Sequence, residues 1–139
     1  MSNKARKNPP ARMIYASCVV AGLVGCDGTA QNSETALAPE MPRFDETHLI
    51  AGRSTWMGTC RNCHLMGVSG APSVTDYAAW EARISKGERA LYRSALKGIR
   101  DSGGEIRMPP RGGNARLTDE QVKGAVDYMV ASVRRFKQD

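Results

Sequence analysis

The sequence predicts a small all-α fold, and three observations predict it. Near the C-terminus Val122, Ala125, Val126, Met129, Val130 and Val133 recur at i, i+3, i+4, i+7, i+8 and i+11, one face of an α-helix. Two shorter helical stretches, 77–86 and 88–97, are each followed by a glycine, Gly87 and Gly98, the residue that most readily ends a helix. Ahead of Cys60-Arg61-Asn62-Cys63-His64, the residues Leu49, Gly52, Trp56 and Cys60 fall at i, i+3, i+7 and i+11, again on one helical face.

A chain of 139 residues has room for one domain. Its 41% hydrophobic and 24% charged residues are ordinary for a globular protein. Only 6% are aromatic, with two Phe, which leaves little bulk for a self-sufficient core and suits a domain folded around a buried apolar group. The net charge of +6 invites a nucleic-acid or acidic-membrane partner, but its location argues against both. Residues 1–25 carry Lys4, Arg6, Lys7 and Arg12 and no acid; without them, 16 basic and 14 acidic residues leave a net of only +2.

Those first residues read as a leader. Residues 1–12 are basic and polar, and 13–25 are apolar, the n- and h-regions of a signal peptide, too short for a comfortable membrane span. Leu23-Val24-Gly25-Cys26 resembles a bacterial lipoprotein cleavage box, which makes 1–25 the signal peptide and Cys26 the lipidated N-terminus. The competing reading is an ordinary signal peptide with an incidental Cys26. Cys18 lies within the h-region and leaves with it. Several acyl chains on Cys26 would anchor the protein, since each buried methylene contributes about 0.8 kcal/mol. Asp27, next to that Cys, resembles the residue found in lipoproteins retained at the inner membrane. The expected location is therefore the periplasmic side of a bacterial membrane. Residues 26–43, rich in small and polar residues and closed by Pro39 and Pro42, are expected to be a flexible linker, and residues 44–139 the folded domain.

Within that domain the first helix is expected to start near Asp45 or Thr47 and to run to the Cys pair. Gly52 inside it costs about 1 kcal/mol against Ala, which implies close approach by another backbone. Gly67, Gly70 and Pro72 mark a loop after His64. Asp76 is an N-cap for the helix over 77–86. The helix over 88–97 turns Leu91, Ala95 and Leu96 to one side and leaves Arg89, Arg93 and Lys97 to solvent. Between Gly98 and Leu117 lies a stretch without periodicity, holding four Gly and two Pro, a length of loop that is usually functional or disordered. The last helix opens with a capping box, Thr118 and Gln121, with Asp119 and Glu120 at its positive end and Arg134, Arg135 and Lys137 at its negative end. Its apolar face must pack on something, and the Gly52/Trp56 face is the natural partner.

The chemistry sits in Cys60-Arg61-Asn62-Cys63-His64. A C-x-x-C-H segment reads as an attachment site for one c-type haem: two thiols add to the two vinyl groups, and the adjacent His64 binds the iron through a neutral imidazole nitrogen. The competing readings are a thiol redox pair, which has no need of the His, and half of a zinc site, which needs two more N or S ligands. The only other histidine is His48, close to the start of the first helix and poorly placed as a rival ligand. Met108-Pro109-Pro110 lies at the centre of the unpatterned stretch. A residue before Pro is extended, the Pro pair stiffens the next residues, and a thioether is a soft ligand that raises the reduction potential of haem iron. Met108 is therefore the candidate second axial ligand, the alternative being an ordinary loop methionine. Met41, Met57, Met66 and Met129 compete poorly by position. Trp80 and Arg83, one turn apart, are candidates for a haem propionate, or else a core Trp beside a surface Arg.

Taken together, the helix with Gly52 and Trp56, Cys60-x-x-Cys63-His64, Gly70-Ala71-Pro72, two helices, Met108-Pro109 and an amphipathic last helix resemble a class I c-type cytochrome. Met108-Pro109-Pro110-Arg111-Gly112-Gly113-Asn114, Ala125-Val126-Asp127-Tyr128-Met129 and Trp80-x-x-Arg83-x-x-x-Gly87 resemble the cytochrome c-five type. The likeness covers about residues 44–133. It implies an all-α fold whose N- and C-terminal helices cross around one covalently bound haem c. It also implies an axial His64 held by the backbone carbonyl of Pro72. The extra Cys pair of some relatives is absent from 114–118, and Ser73-Val74-Thr75 lacks a glycine often present there.

The function expected is single-electron transfer rather than catalysis. With His64 and Met108 on the iron, the protein would cycle between two oxidation states without binding a substrate. Expected partners are membrane redox complexes, a quinol-oxidising complex or dehydrogenase as donor and a terminal oxidase or reductase as acceptor; nucleic acid is not among them. Arg53, Arg61, Arg107 and Arg111 flank the ligand segments and are expected to form a positive ring facing acidic partners, unless they are only solvated surface residues. Two other classes stay open: a haem-bearing subunit of a larger oxidase or dehydrogenase, and a haem sensor or enzyme in which Met108 dissociates.

Overall fold

Two helices that cross backbone to backbone organise the domain. The computed structural model describes residues 38–138; the leader, Cys26 and Asp27 lie outside the described residues. Helix α1 (Thr47–Thr55) packs chiefly on the C-terminal helix α5 (Asp119–Phe136). The apolar stripe of α1 is thin, so a close approach must make the contact, and glycine permits it. A Cβ built on Gly52 falls 2.0 Å from the carbonyl oxygen of Gly124 and 2.6 Å from its carbonyl carbon. Around this crossing Trp56, Tyr128 and Val133 are fully buried. Tyr128 is ringed by Phe44 and Trp56, with centroids 5.8 Å and 5.7 Å away.

The chain enters this core earlier than its composition suggests. Met41 is buried against Leu49, Trp56 and Tyr128, and the Tyr128 hydroxyl donates to the Pro42 carbonyl at 2.8 Å. Met41 and Pro42, expected to lie in the linker, pack on the folded domain instead. A methionine side chain adapts to irregular gaps, and its burial here depends on an α5 residue far along the chain.

From α1 the helical path continues through a π-turn, Trp56–Cys60, in which the Arg61 N–H bonds the Trp56 carbonyl five residues back, into the short α2 (Arg61–His64). A 3-10 turn at Val68–Gly70 leads to α3 (Tyr77–Ile84). Asp76 caps α3 as its sequence suggests, its carboxylate accepting from the Ala79 N–H at 3.0 Å. Helix α4 (Glu88–Lys97) packs on α5 through Ala95, Val122 and Val126. The capping box of α5 forms, with the Gln121 N–H on the Thr118 hydroxyl and the Thr118 N–H on the Gln121 side chain.

The stretch 98–117 is more ordered than its lack of periodicity implies. It contains a two-stranded antiparallel hairpin, β1 (Ile99–Arg100) with β2 (Ile106–Met108), pairing Ile99 with Met108. The Asp101 carboxylate accepts from the Gly103 and Glu105 N–H groups at 3.0 Å, and the Arg100 guanidinium donates to the Gly104 carbonyl at 2.6 Å. Ile99 and Ile106 remain exposed. Strands of two and three residues that bury no face have no alternation to read. Beyond the hairpin, Pro110–Gly113 form another 3-10 turn. The fold is otherwise helical, with the N- and C-terminal helices crossed as expected.

The crossing predicts an asymmetric response to the same substitution. In Gly52→Ala the new methyl meets backbone that cannot rotate away, and the domain should lose about 1–3 kcal/mol despite the better helix former. A Cβ on Gly124 meets nothing nearer than the Gly52 Cα at 3.5 Å, an ordinary contact. Gly124→Ala should therefore be neutral or slightly stabilising. Thermal denaturation of the two variants checks this; equal losses would contradict the geometry.

Candidate haem-binding site

The end of the π-turn and the single turn of α2 carry the thiols and the imidazole together. Cys60 is half-buried and Cys63 exposed, three residues apart on one turn, and neither is in a disulfide. Burial, reinforced by Cys63, pushes the Cys60 thiol up to about 11 against a weaker lowering by a backbone hydrogen bond. A redox dithiol works through a thiolate favoured by a depressed pKa, and Cys60 is displaced the other way. Among the described residues no group of three or more His, Cys, Asp or Glu side chains is placed to hold a metal ion, so the zinc reading finds no donor set there.

His64 is buried, and its Nδ1 lies 3.0 Å from the Pro72 carbonyl oxygen. A carbonyl only accepts, so Nδ1 carries the proton and Nε2 keeps its lone pair. Burial lowers the imidazole pKa, opposed by the Pro72 bond and assisted by the charge of Arg83, which favours the neutral, ligating form. The segment after Pro72 is bonded back onto the α2 end. The Val74 N–H donates to the His64 carbonyl at 2.9 Å, and the Ser73 hydroxyl to the Leu65 carbonyl at 3.0 Å. A glycine is not needed at this loop, because Ser73 supplies a bond that glycine would lack.

Trp80 sits beside His64, ring centroids 5.7 Å apart, and its indole N–H donates to the Ser73 carbonyl at 2.8 Å. That is the only donor an indole has, so Trp80 is the core Trp of the alternative reading, and its bond fixes the 72–74 segment and the imidazole. Arg83 is exposed and bonds the Ala79 carbonyl of its own helix. Its electrostatic effect on His64 is what ties it to the site.

Met108 closes the opposite side. It ends β2, is half-buried, and lines one narrow cleft together with Cys60 and His64. The floor of that cleft is α5, through Val122, Ala125, Val126 and Met129. A histidine, a methionine and a cysteine lining one largely apolar space are residues of the kind that a covalently held haem requires. His64, Met108 and Cys60 would hold it, and the α5 residues would exclude water. His48 lines a different depression, with Glu88, Tyr92 and Arg134, and has no place at this cleft.

The four arginines expected to ring the site have separate fates. Arg61 and Arg107 are exposed. Arg53 is half-buried, with its Nε buried and unpaired. Arg111 is spent inside the chain: its guanidinium donates to the Leu117 carbonyl at 2.8 Å and pairs with Asp119 at 2.5 Å. That pairing holds the Asp119 carboxyl below its ordinary value. Sequence reading took Arg111 for a docking charge because its partner lies eight residues on, beyond any local pattern. It also missed Gly98, read only as a helix stop. A Cβ there would lie 2.6 Å from the Met108 carbonyl oxygen.

Comparison with known proteins gives the family. The model of the family described as "Cytochrome C oxidase, cbb3-type, subunit III" matches residues 47–129, more than half of the chain. Cytochrome c-555 of Chlorobaculum tepidum is 48% identical over 80 residues, 58% of this chain and 72% of that protein. Cytochrome c5 of Ectopseudomonas mendocina is 38% identical over 72 residues, 50% of this chain and 76% of that protein. A solved structure titled "Crystal structure of electron transfer complex of nitrite reductase with cytochrome c" aligns with a TM-score of 0.52 and 36% identity, over 60% of this chain and 95% of that one. The crossed helices, the Cys-x-x-Cys-His turn and the match over residues 47–129 lead to one conclusion: the chain belongs to this family of cytochromes c, which carry covalently bound haem c.

Proposed function

We propose that the protein is a monohaem single-electron carrier with His64 and Met108 as axial ligands. It would be tethered at Cys26 to the periplasmic side of a bacterial membrane, with the inner membrane favoured by Asp27, and would pass electrons between membrane redox complexes. A quinol-oxidising complex or dehydrogenase would be the donor and a terminal oxidase or reductase the acceptor. The observation that carries this reading is that His64 and Met108 line the same cleft, with the His64 proton fixed on Nδ1 by Pro72.

Haem supplies one-electron chemistry when bound; the chain sets the conditions. The Nδ1–H bond to Pro72 fixes the imidazole orientation and makes Nε2 a better donor. Met108 contributes a soft thioether, which raises the potential. Val126 and Met129 keep water from the cleft floor. With both axial positions filled from the chain, no site is left for a substrate. Cys63 is exposed, so the attached edge lies near the surface there.

That surface is apolar with cationic flanks. Met66 and Val68 are exposed just after His64, and Ile106 just before Met108. The Arg107 guanidinium reaches over Gly70, 3.5 Å from where a Cβ would lie, which ties β2 to the Val68–Gly70 turn. Arg61 stands on α2 beside the cysteines. An acidic partner surface with an apolar centre fits this arrangement. A second reading has its own observation, since the matching family is described as an oxidase subunit: the domain would be a fixed subunit rather than a shuttle. Gentle detergent extraction separates the two. A fixed subunit co-purifies with a larger complex even as Cys26→Ala, whereas a shuttle is released alone by that change.

Two further outcomes test the main reading. The ferric protein should show the far-red absorption band of Met-ligated haem and bind no carbon monoxide when reduced; Met108→Ala should lose the band and bind carbon monoxide readily. A wild type without the band sinks the closed-site mechanism. Oxidation by an acidic partner should slow by roughly tenfold or more from low to high salt, within the range of electrostatic steering. Arg61→Glu with Arg107→Glu should remove most of that dependence, and salt-independent rates in the wild type would count against docking by charge.

A further inference from the structure

Arg111 lines the same cleft as Met108, Gly98 lies against the Met108 backbone, and the electron-carrier reading gives neither a task. Arg111 adopts φ 56° and ψ 28°, the left-handed region, where a side chain other than glycine is strained. What holds it there is its guanidinium, which donates to the Leu117 carbonyl at 2.8 Å and to the Asp119 carboxylate at 2.5 Å. Asp119 is the first residue of α5, directly after the Thr118 cap. One turn on, Val122 is buried in the cluster against which both Met108 and Leu117 pack. The guanidinium thus fastens the turn after Met108 to the most firmly capped end of the longest helix.

On the other side the backbone of Met108 rests on Gly98. That residue has φ 76°, and a Cβ on it would lie 2.6 Å from the Met108 carbonyl oxygen and 2.9 Å from the Pro110 nitrogen. Ile99 pairs with Met108 across the hairpin. Met108 therefore has a seat at Gly98 and a fastening at Arg111. Only the fastening depends on side chains reachable by solvent, with Arg111 28% and Asp119 50% exposed.

We propose that Arg111 is the positioning residue for Met108. Its bridge to Leu117 and Asp119 is a latch that keeps the thioether in the cleft, and opening of this latch, with the helices still folded, is the route by which Met108 leaves. The proposal rests on the reading of Met108 as an axial ligand. It assigns Arg111 a role in ligand lability that a docking charge would not have. Arg111 is not a member of the Trp56/Tyr128/Val133 core cluster, and the Gly52–Gly124 approach is made by backbone alone.

Imidazole added to the ferric holoprotein tests this, because it binds only when Met108 has left. Its apparent affinity therefore reports the fraction of open latch. The readouts are loss of the far-red band with imidazole and, separately, the urea midpoint of helical circular dichroism. Arg111→Ala should bind imidazole roughly tenfold or more tightly than wild type, with the helical midpoint nearly unchanged. Asp119→Asn should shift in the same direction by less, since the bond to Leu117 survives. Arg111→Gly removes backbone strain and the latch together, and it too should bind imidazole more tightly. Wild-type imidazole affinity in Arg111→Ala and Asp119→Asn overturns the latch, as does a change matched by an equal loss of helical stability. A wild type without the far-red band overturns the axial reading itself, and the latch with it.

Discussion

Everything in this domain depends on the contact between Gly52 and Gly124. The apolar surface of α1 is small, and alone it would not hold a helix against α5. The missing side chain at Gly52 lets the backbones meet and brings Leu49 and Trp56 into a core closed by Tyr128 and Val133. The same crossing fixes the direction in which the chain leaves α1. The π-turn and α2 then deliver Cys60 and His64 to the apolar side of α5. One helix therefore serves as structural partner at its middle and as cleft floor along its next face.

The site is assembled from two attachments of different kinds. His64 is oriented by main-chain oxygen from Pro72, with Trp80 fixing that segment through Ser73. Met108 is placed by a hairpin whose turn is organised by the Asp101 carboxylate. The two halves meet across α5 and also directly, where Gly112 lies against Thr59 and Arg107 reaches over Gly70. Such a division suits a redox centre. The imidazole side is held by buried backbone bonds, and the thioether side by a short hairpin and a half-exposed ion pair.

What could be read in the sequence was what is local. The Asp76 cap, the Thr118/Gln121 box, the apolar face of α5 and the Cys-x-x-Cys-His turn are encoded within a few residues, and each forms. Gly52 could be read as a close approach, but its partner Gly124 looked like an ordinary interior glycine of a strongly patterned helix. Met41 was hidden because its neighbours are those of a linker, and only the fold brings Tyr128 to it. The hairpin gave no signal because its isoleucines point to solvent. Arg111 and Trp80 were assigned to partner and propionate because charge and aromaticity are visible in a sequence. The acceptors that occupy them, Asp119 with Leu117 and Ser73, are set by the backbone path.

The π-turn between Trp56 and Cys60 bears on how such a chain can change over time. An i→i+5 turn accommodates one residue more than a regular helix of the same length. Removing any single residue from 53–59 would let the segment revert to an unbroken α-helix, leaving Gly52 on Gly124. Because the wider turn absorbs the extra residue, that removal would leave Cys60, Cys63 and His64 near their present direction towards α5, whereas the same removal from a regular helix would swing them by about 100° around the axis. The step from Gly52 to Cys60 can thus lose one residue at the π-turn and keep the site in register. It stays open to substitution at a position such as Gly58, where an added side chain meets only open space. Here register, more than length, is the inherited quantity.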